Sequence, residues 1–280
     1  MAQFTITLAS NSALDVYKNN TLASFRTYFP VPIELSGKWE AALVDITYPR
    51  HLFNIDNCQF DFWWHRTGGW ICNCSFRKGS YATIKDVINE INRAIDAEMM
   101  TAVTGNYKRY EYIKYTIDDR GRFQIDESRG SVRFANMSED LFTILGCAKH
   151  ESGYKPKRSD GMIDQPGIHP VDIHRWHQIF VYADFIEQQF VGNAKAPLLK
   201  SFPLYNPQHV PPEAVEKTPG GVLGYGVCSF GSFDGPTFKP VCKSIITDIM
   251  IQLRTETGIL VPFVGTGRSM VTVLFRQTMS

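Results

Sequence analysis

The side chains with the most chemistry to offer are His169, Asp172, His174 and His177, which crowd one polar stretch. Imidazoles and a carboxylate in one loop could hold zinc or a similar cation. Their spacing matches no structural zinc pattern, and His174 and His177 lead into an expected strand, where a three-residue step points them apart. Chance clustering is the better reading, and no metal or cofactor is expected. Cys147 and His150 are neighbours in sequence, as a nucleophile and its base would need to be in space. Cys147 follows an expected short helix, however, and a helix C-terminus raises a thiol's pKa, which disfavours the thiolate. Asp118-Asp119 falls at a turn, where Asp serves the backbone. Gly224-Tyr225-Gly226 and Gly265-Thr266-Gly267 are too short to cradle a phosphate. No constellation is catalytic, so the chain reads as a protein that is not an enzyme.

Charge and composition point the same way. The 280 residues carry 29 basic and 28 acidic side chains, a balance with no global drive toward nucleic acid. Hydrophobic residues make up 44%, and a chain of this length buries roughly three quarters of its unfolded surface. Aromatics reach 13%, which favours strands and contact surfaces. No apolar run is long enough to span a membrane. The start, Met1 to Leu8, alternates like a strand and lacks the plan of a secretory signal, so synthesis in the cytosol is expected. Cys58, Cys72, Cys74, Cys147, Cys228 and Cys242 are then read as buried thiols. Cys72 and Cys74 lie two apart on an expected strand, roughly 6.5–7 Å at Cα, and are poorly placed to bond each other.

The elements that must carry these residues are mostly strands. The organising stretch is Leu35 to Pro49, where Gly37 opens a turn and Trp39 to Tyr48 runs as a strand apolar on both faces. Further strands are expected at 3–8, at 21–29 ended by Pro30 and Pro32, at 58–65 and 70–77 around a hairpin turn, at 109–117, 122–126, 131–135 and 178–186, in a short run after Pro197, and at 243–254, 259–264 and 269–276. On 243–254, Thr247, Ile249, Ile251 and Leu253 should share a face. The period changes at 83–97, where Ile84, Val87, Ile88, Ile91 and Ile95 align on a helical face and Thr83 with Asp86 forms a capping box. A short helix at 138–146 starts at Ser138 and stops at Gly146. Residues 148–172 and 203–240 are long loops, the second dense in Pro and Gly. Helices that interrupt strands without alternating with them fit a mainly antiparallel all-β sandwich.

Three blocks carry a resemblance. Phe4 to Ser12, Asn19 to Phe25 and Pro32 to Pro49 form the first. Val181 to Leu199 is the second, and Gly258 to Phe263 with Val271 to Phe275 the third. Together they resemble the penton, or minor capsid, protein of Polinton/Maverick elements and adintoviruses, over nearly the whole chain. The resemblance implies a single jelly roll over 1–280, with 83–97 and 138–146 as helical insertions. It implies a homopentamer at the five-fold vertex of an icosahedral particle, docked to a double-jelly-roll major capsid protein, and a place in the virion. A host receptor or fibre is a further partner it allows; nucleic acid is not expected as a direct one. The framework residues of the family signature are Asn19, Thr21, Gly37, Trp39, Tyr48, Pro49, Pro197, Pro262 and Phe263.

A second reading competes with it. Trp63, Trp64 and Trp70 beside the 66–69 turn would suit a β-sandwich module that binds carbohydrate or a receptor, although aromatics in such hairpins are more often core. Under the capsid reading, the apolar residues of 203–240 are expected at contacts between subunits.

Overall fold

Alternating apolar residues bounded by turn formers make strands, and strands dominate this computed structural model. It describes residues 2–49, 52, 55, 58–64, 70–81, 83–102, 113–121, 123–127, 132–146, 170–173, 176–204, 228–265 and 267–278. The chain packs as two compact units, Met1–Leu52 with Trp176–Ser280, and Phe53–Arg175.

The first unit contains β1 (Gln3–Ala9), β2 (Ser24–Glu34) and β3 (Trp39–Pro49). After the inserted second unit come β9 (Gln178–Ala183), β10 (Gln189–Val191), β11 (Ala194–Ala196) and β12 (Leu198–Pro203). β13 (Cys228–Ser232), β14 (Lys239–Pro240), β15 (Ile245–Thr255) and β16 (Met270–Gln277) complete it. One sheet has the order β1-β16-β3-β13, with β14 also on β3, and the other the order β12-β9-β15-β2. Every ladder is antiparallel. Their inner faces share one core: Leu8, Leu43, Ile46, Val271, Val273 and Phe275 from one sheet, Phe25, Val181, Ile249, Ile251 and Leu253 from the other. The Phe275 ring lies 5.0 Å from Phe4 and 5.1 Å from Phe185, centroid to centroid. Each such side chain, fully buried, contributes about 1.5–3 kcal/mol.

Bulges adjust the faces. On β3 the register slips between Thr272↔Asp45 and Val273↔Leu43, which makes Val44 the extra residue. Alternation therefore changes phase, and Ala41, Leu43, Ile46 and Tyr48 all enter the core. A second slip, between Ile246↔Ile33 and Asp248↔Tyr28, corrects two expectations. Thr247 was expected on the inner face of its strand; it is exposed, and Ile246 is buried. β2 was expected to end before Pro30; it runs through Pro30 and Pro32, because both lie in the bulge of an edge strand that needs no donor there.

Three other expectations change. The sequence predicts a loop over 203–240, yet β13 and β14 fall inside it and pair with β3. Gly231 passes close to Ile46, whose Cγ2 would lie 3.3 Å from a Cβ at this position; residues 205–227 lie outside the described residues. Residues 259–264 make isolated bridges, Arg254↔Leu260 and Leu52↔Phe263, in place of a strand. The β10–β11 hairpin was not foreseen; its turn uses Gly192 at φ 61°.

The second unit has β4 (Gln59–Trp64), β5 (Trp70–Ser75), α1 (Ile84–Ala102), β6 (Ile113–Ile117), β7 (Phe123–Glu127), β8 (Val132–Met137) and α2 (Glu139–Ile144). Its strands form a β5-β4-β8 sheet and a β6-β7 pair. Helix α1 runs to Ala102, beyond the expected 97, and buries Val87, Ile88, Ile91 and Ile95 in a core with Phe60, Tyr115, Phe123, Leu141 and Ile173. The capping box forms: Asp86 Oδ2 accepts from Thr83 N at 2.9 Å, and Asp86 N donates to Thr83 Oγ1 at 3.3 Å. Ser138 Oγ accepts from Leu141 N at 3.4 Å, and Gly146 follows α2 at φ 66°. Asn92 on α1 clamps Tyr115, donating to its carbonyl at 3.0 Å and accepting from its N–H at 2.7 Å.

Candidate assembly surface

Of the candidate metal ligands, Asp172 and His177 lie within the described residues. Among the described residues no three or more His, Cys, Asp or Glu side chains converge on a point that could hold a metal ion. His169, His174, Cys147 and His150 lie outside the described residues. The His177 main-chain N–H donates to Glu256 Oε1 at 2.9 Å. Asp118 serves its turn, as its position predicts: Oδ1 accepts from Arg120 N at 2.9 Å and its carbonyl from Gly121 N at 2.9 Å. The cysteine expectation holds in part. Cys58 and Cys74 are buried thiols, whereas Cys228 and Cys242 are exposed. Cys228 opens β13, and Cys242 sits in the turn before β15 with its thiol donating to the Phe185 carbonyl at 3.3 Å. Trp63, Trp64 and Trp70 lie on β4 and β5, but their side chains are outside the described residues.

What the first unit does present is apolar side chains at its edges and ends. Contiguous exposed apolar surface marks association more than a scattered leucine does. On the β2 edge Val31, within the bulge, is 78% exposed, and Tyr28 earlier on β2 and Ile245 at the start of the neighbouring β15 are exposed as well. Arg26 flanks this strip, its guanidinium 3.2 Å from Asp248. The β10–β11 hairpin holds out Phe190, 75% exposed, with Lys195 Nζ 5.4 Å from its ring centroid. Its base is fixed: Lys239 Nζ donates to Gln189 Oε1 at 2.8 Å, and Gln189 Nε2 donates to the Leu198 carbonyl. The segment between β1 and β2 exposes Leu14 and Val16. Phe230 on β13 is exposed as well.

The electrostatics around this unit are mild. Lys200 reaches over the Phe233 ring at 4.3 Å, and burial lowers its pKa. Burial raises the Tyr182 pKa, against the pull of Arg254.

The signature residues take varied places. Tyr48 and Pro49 are buried, and Gly37 turns at φ 85°. Trp39 is half-buried against Phe4, with Nε1 donating to the Ser36 carbonyl at 3.0 Å. The Pro197 carbonyl accepts from Ala183 N at 3.1 Å. Pro262 is half-buried, and Phe263 packs on the core. Thr21 is exposed, and its Oγ1 accepts from Ser24 N at 3.0 Å. Asn19 is exposed too; the residue that stitches the segment is Asn20, its neighbour. Its side chain donates to the Ser12 and Arg26 carbonyls at 3.1 and 2.9 Å and accepts from Arg26 N at 2.8 Å.

No protein-family model matches this sequence, and no curated protein does. A solved structure does: the crystal structure of the selenomethionine-labelled mavirus penton protein is similar to it with a TM-score of 0.51. The match covers 99% of this chain and 100% of that one, at 7% identity. Identity that low speaks for the fold alone. Along nearly its whole length, this chain has the fold of a viral penton protein.

Proposed function

We propose that this protein is a structural capsid protein, a penton of the Polinton/Maverick and adintovirus kind. It acts by association and not by catalysis. Five copies form the vertex of an icosahedral virus-like particle and dock to a double-jelly-roll major capsid protein, and its place is the virion. The observation that carries the reading is the likeness to the mavirus penton protein across 99% of the chain.

Strand order supports the finer fold. Leaving out β10, β11 and β14, the described residues of the first unit form eight strands in two sheets, β1-β16-β3-β13 and β12-β9-β15-β2. Counted in chain order these are 1-8-3-6 and 5-4-7-2, the pattern of a single jelly roll. In this reading 1–280 is one jelly-roll capsid domain, and residues 53–175 are an insertion between β3 and β9 that carries both helices. The edge and tip residues Val31, Tyr28 and Phe190 supply subunit contacts, since a cyclic ring needs two different patches that close on each other.

The test is the mass of the full-length protein in solution, alone and with its major capsid protein. The expected species is a pentamer that caps the five-fold positions of shells in electron micrographs. A protein that stays monomeric and is left out of assembled shells would overturn the proposal.

A further inference from the structure

The exposed edge of β1 is the feature that the vertex role leaves unused. Ser10 N donates to the Ser269 carbonyl at 2.8 Å, and Gln277 N donates to the Ala2 carbonyl at 2.9 Å. Both pairs continue the β1–β16 register, which runs from Gln3↔Arg276 to Ala9↔Met270. In an antiparallel ladder, bonded and non-bonded pairs alternate. The even residues Phe4, Ile6 and Leu8 therefore bond to β16. The N–H and C=O groups of Gln3, Thr5 and Thr7 point away from the sheet, and among the described residues β1 pairs with no strand but β16.

The other edges of the two main sheets are blunted. β2 carries Pro30 and Pro32 in its bulge. β12 ends at Pro203 and slips register between Leu198 and Lys200. β13 is five residues long and contains Gly231. β1 has seven residues, an unbroken register, no proline and no charge. An edge of that kind is a template for another strand.

Its sequence says which strand. Phe4-Thr5-Ile6-Thr7-Leu8 has the same pattern read in either direction about Ile6. We infer that β1 pairs with the β1 of a second copy of this chain, antiparallel, about a two-fold axis through Ile6. Thr5 then faces Thr7 of the other copy, and the outward groups of both exchange main-chain hydrogen bonds. The side-chain match has a precedent within the chain, where Thr7 Oγ1 lies 3.2 Å from Thr272 Oγ1 across the ladder. Phe4 and Ile6, half-buried on the inner side of β1, gain the cover that an edge strand lacks. The contact is isologous, so it neither needs nor forms the pentamer, whose contacts are heterologous.

Cross-linking tests it on the full-length protein with Cys228→Ser and Cys242→Ser. Ile6→Cys places its two copies at a non-bonded pair about 4.5 Å apart at Cα, within disulfide reach. Mild oxidation is expected to give a covalent dimer, with far less from Thr257→Cys in the exposed turn after β15. Thr5→Lys with Thr7→Lys sets like charges opposite each other on a solvent-facing surface, so the protein should keep its circular dichroism and lose the non-covalent dimer in sedimentation. Ile6→Cys cross-linking no better than Thr257→Cys, or a folded double-lysine variant that still dimerises, overturns the inference. The pentamer is scored separately by mass, so either proposal can fail alone.

Discussion

The Tyr48 hydroxyl donates to the main-chain carbonyl of Leu204 at 3.0 Å, tying the end of β3 in one sheet to the end of β12 in the other. The ring is buried, 5.9 Å from both Phe202 and Phe263. Tyr48→Phe keeps the packing and removes the donor, leaving the Leu204 carbonyl without it. A loss of about 1–3 kcal/mol is expected. The urea midpoint should fall with little change in slope; an unchanged midpoint would mean that the bond adds nothing.

Asn20 makes three hydrogen bonds that fold the segment between β1 and β2 back onto β2. Asn20→Ala should cost about 1–3 kcal/mol. Hydrogen exchange is expected to quicken over residues 12–20 and to stay slow in β16. Uniform acceleration across the first unit would contradict a local clamp.

Val31 is exposed, whereas Phe275 is fully buried, so the two separate assembly from stability. Val31→Lys should leave stability within about 0.5 kcal/mol of the parent and weaken association between subunits. Phe275→Ala empties the centre of the core and should cost about 3–5 kcal/mol. Denaturation and particle mass, measured on both, give the comparison. Assembly unaffected by Val31→Lys would remove the β2 edge from the contact surface.

Tyr81 offers a pH readout for the second unit. Burial raises its pKa from 10.0 to about 12, with help from Cys58. The raised value means that the folded state holds the proton longer than the unfolded chain does. Its stabilising effect is complete below pH 10 and is lost as pH rises toward 12. Absorbance at the phenolate band should show a late-titrating tyrosine in the parent that is missing in Tyr81→Phe. A titration curve unchanged by the substitution would place Tyr81 among ordinary phenols.

Local pattern determined much of this protein. Alternation marked β1, because a strand's side-chain period is written directly in sequence, and runs apolar on both faces marked β3 and β9. The 3.6-residue spacing of Ile84, Val87, Ile88, Ile91 and Ile95 and the Thr83–Asp86 pair did the same for α1. The resemblance along the chain implies a penton, and the fold agrees with that expectation. Other features depended on partners distant in sequence. Pro30 and Pro32 end a strand by local rules, yet β2 continues, because its donors face no neighbour on the open side. The Val44 bulge, the exposure of Thr247 and the pairing of β13 with β3 are properties of ladders, and a ladder needs both strands. Asn19 and Asn20 are the same residue type in sequence; the carbonyls of Ser12 and Arg26, brought close by the fold, decide which one holds the chain.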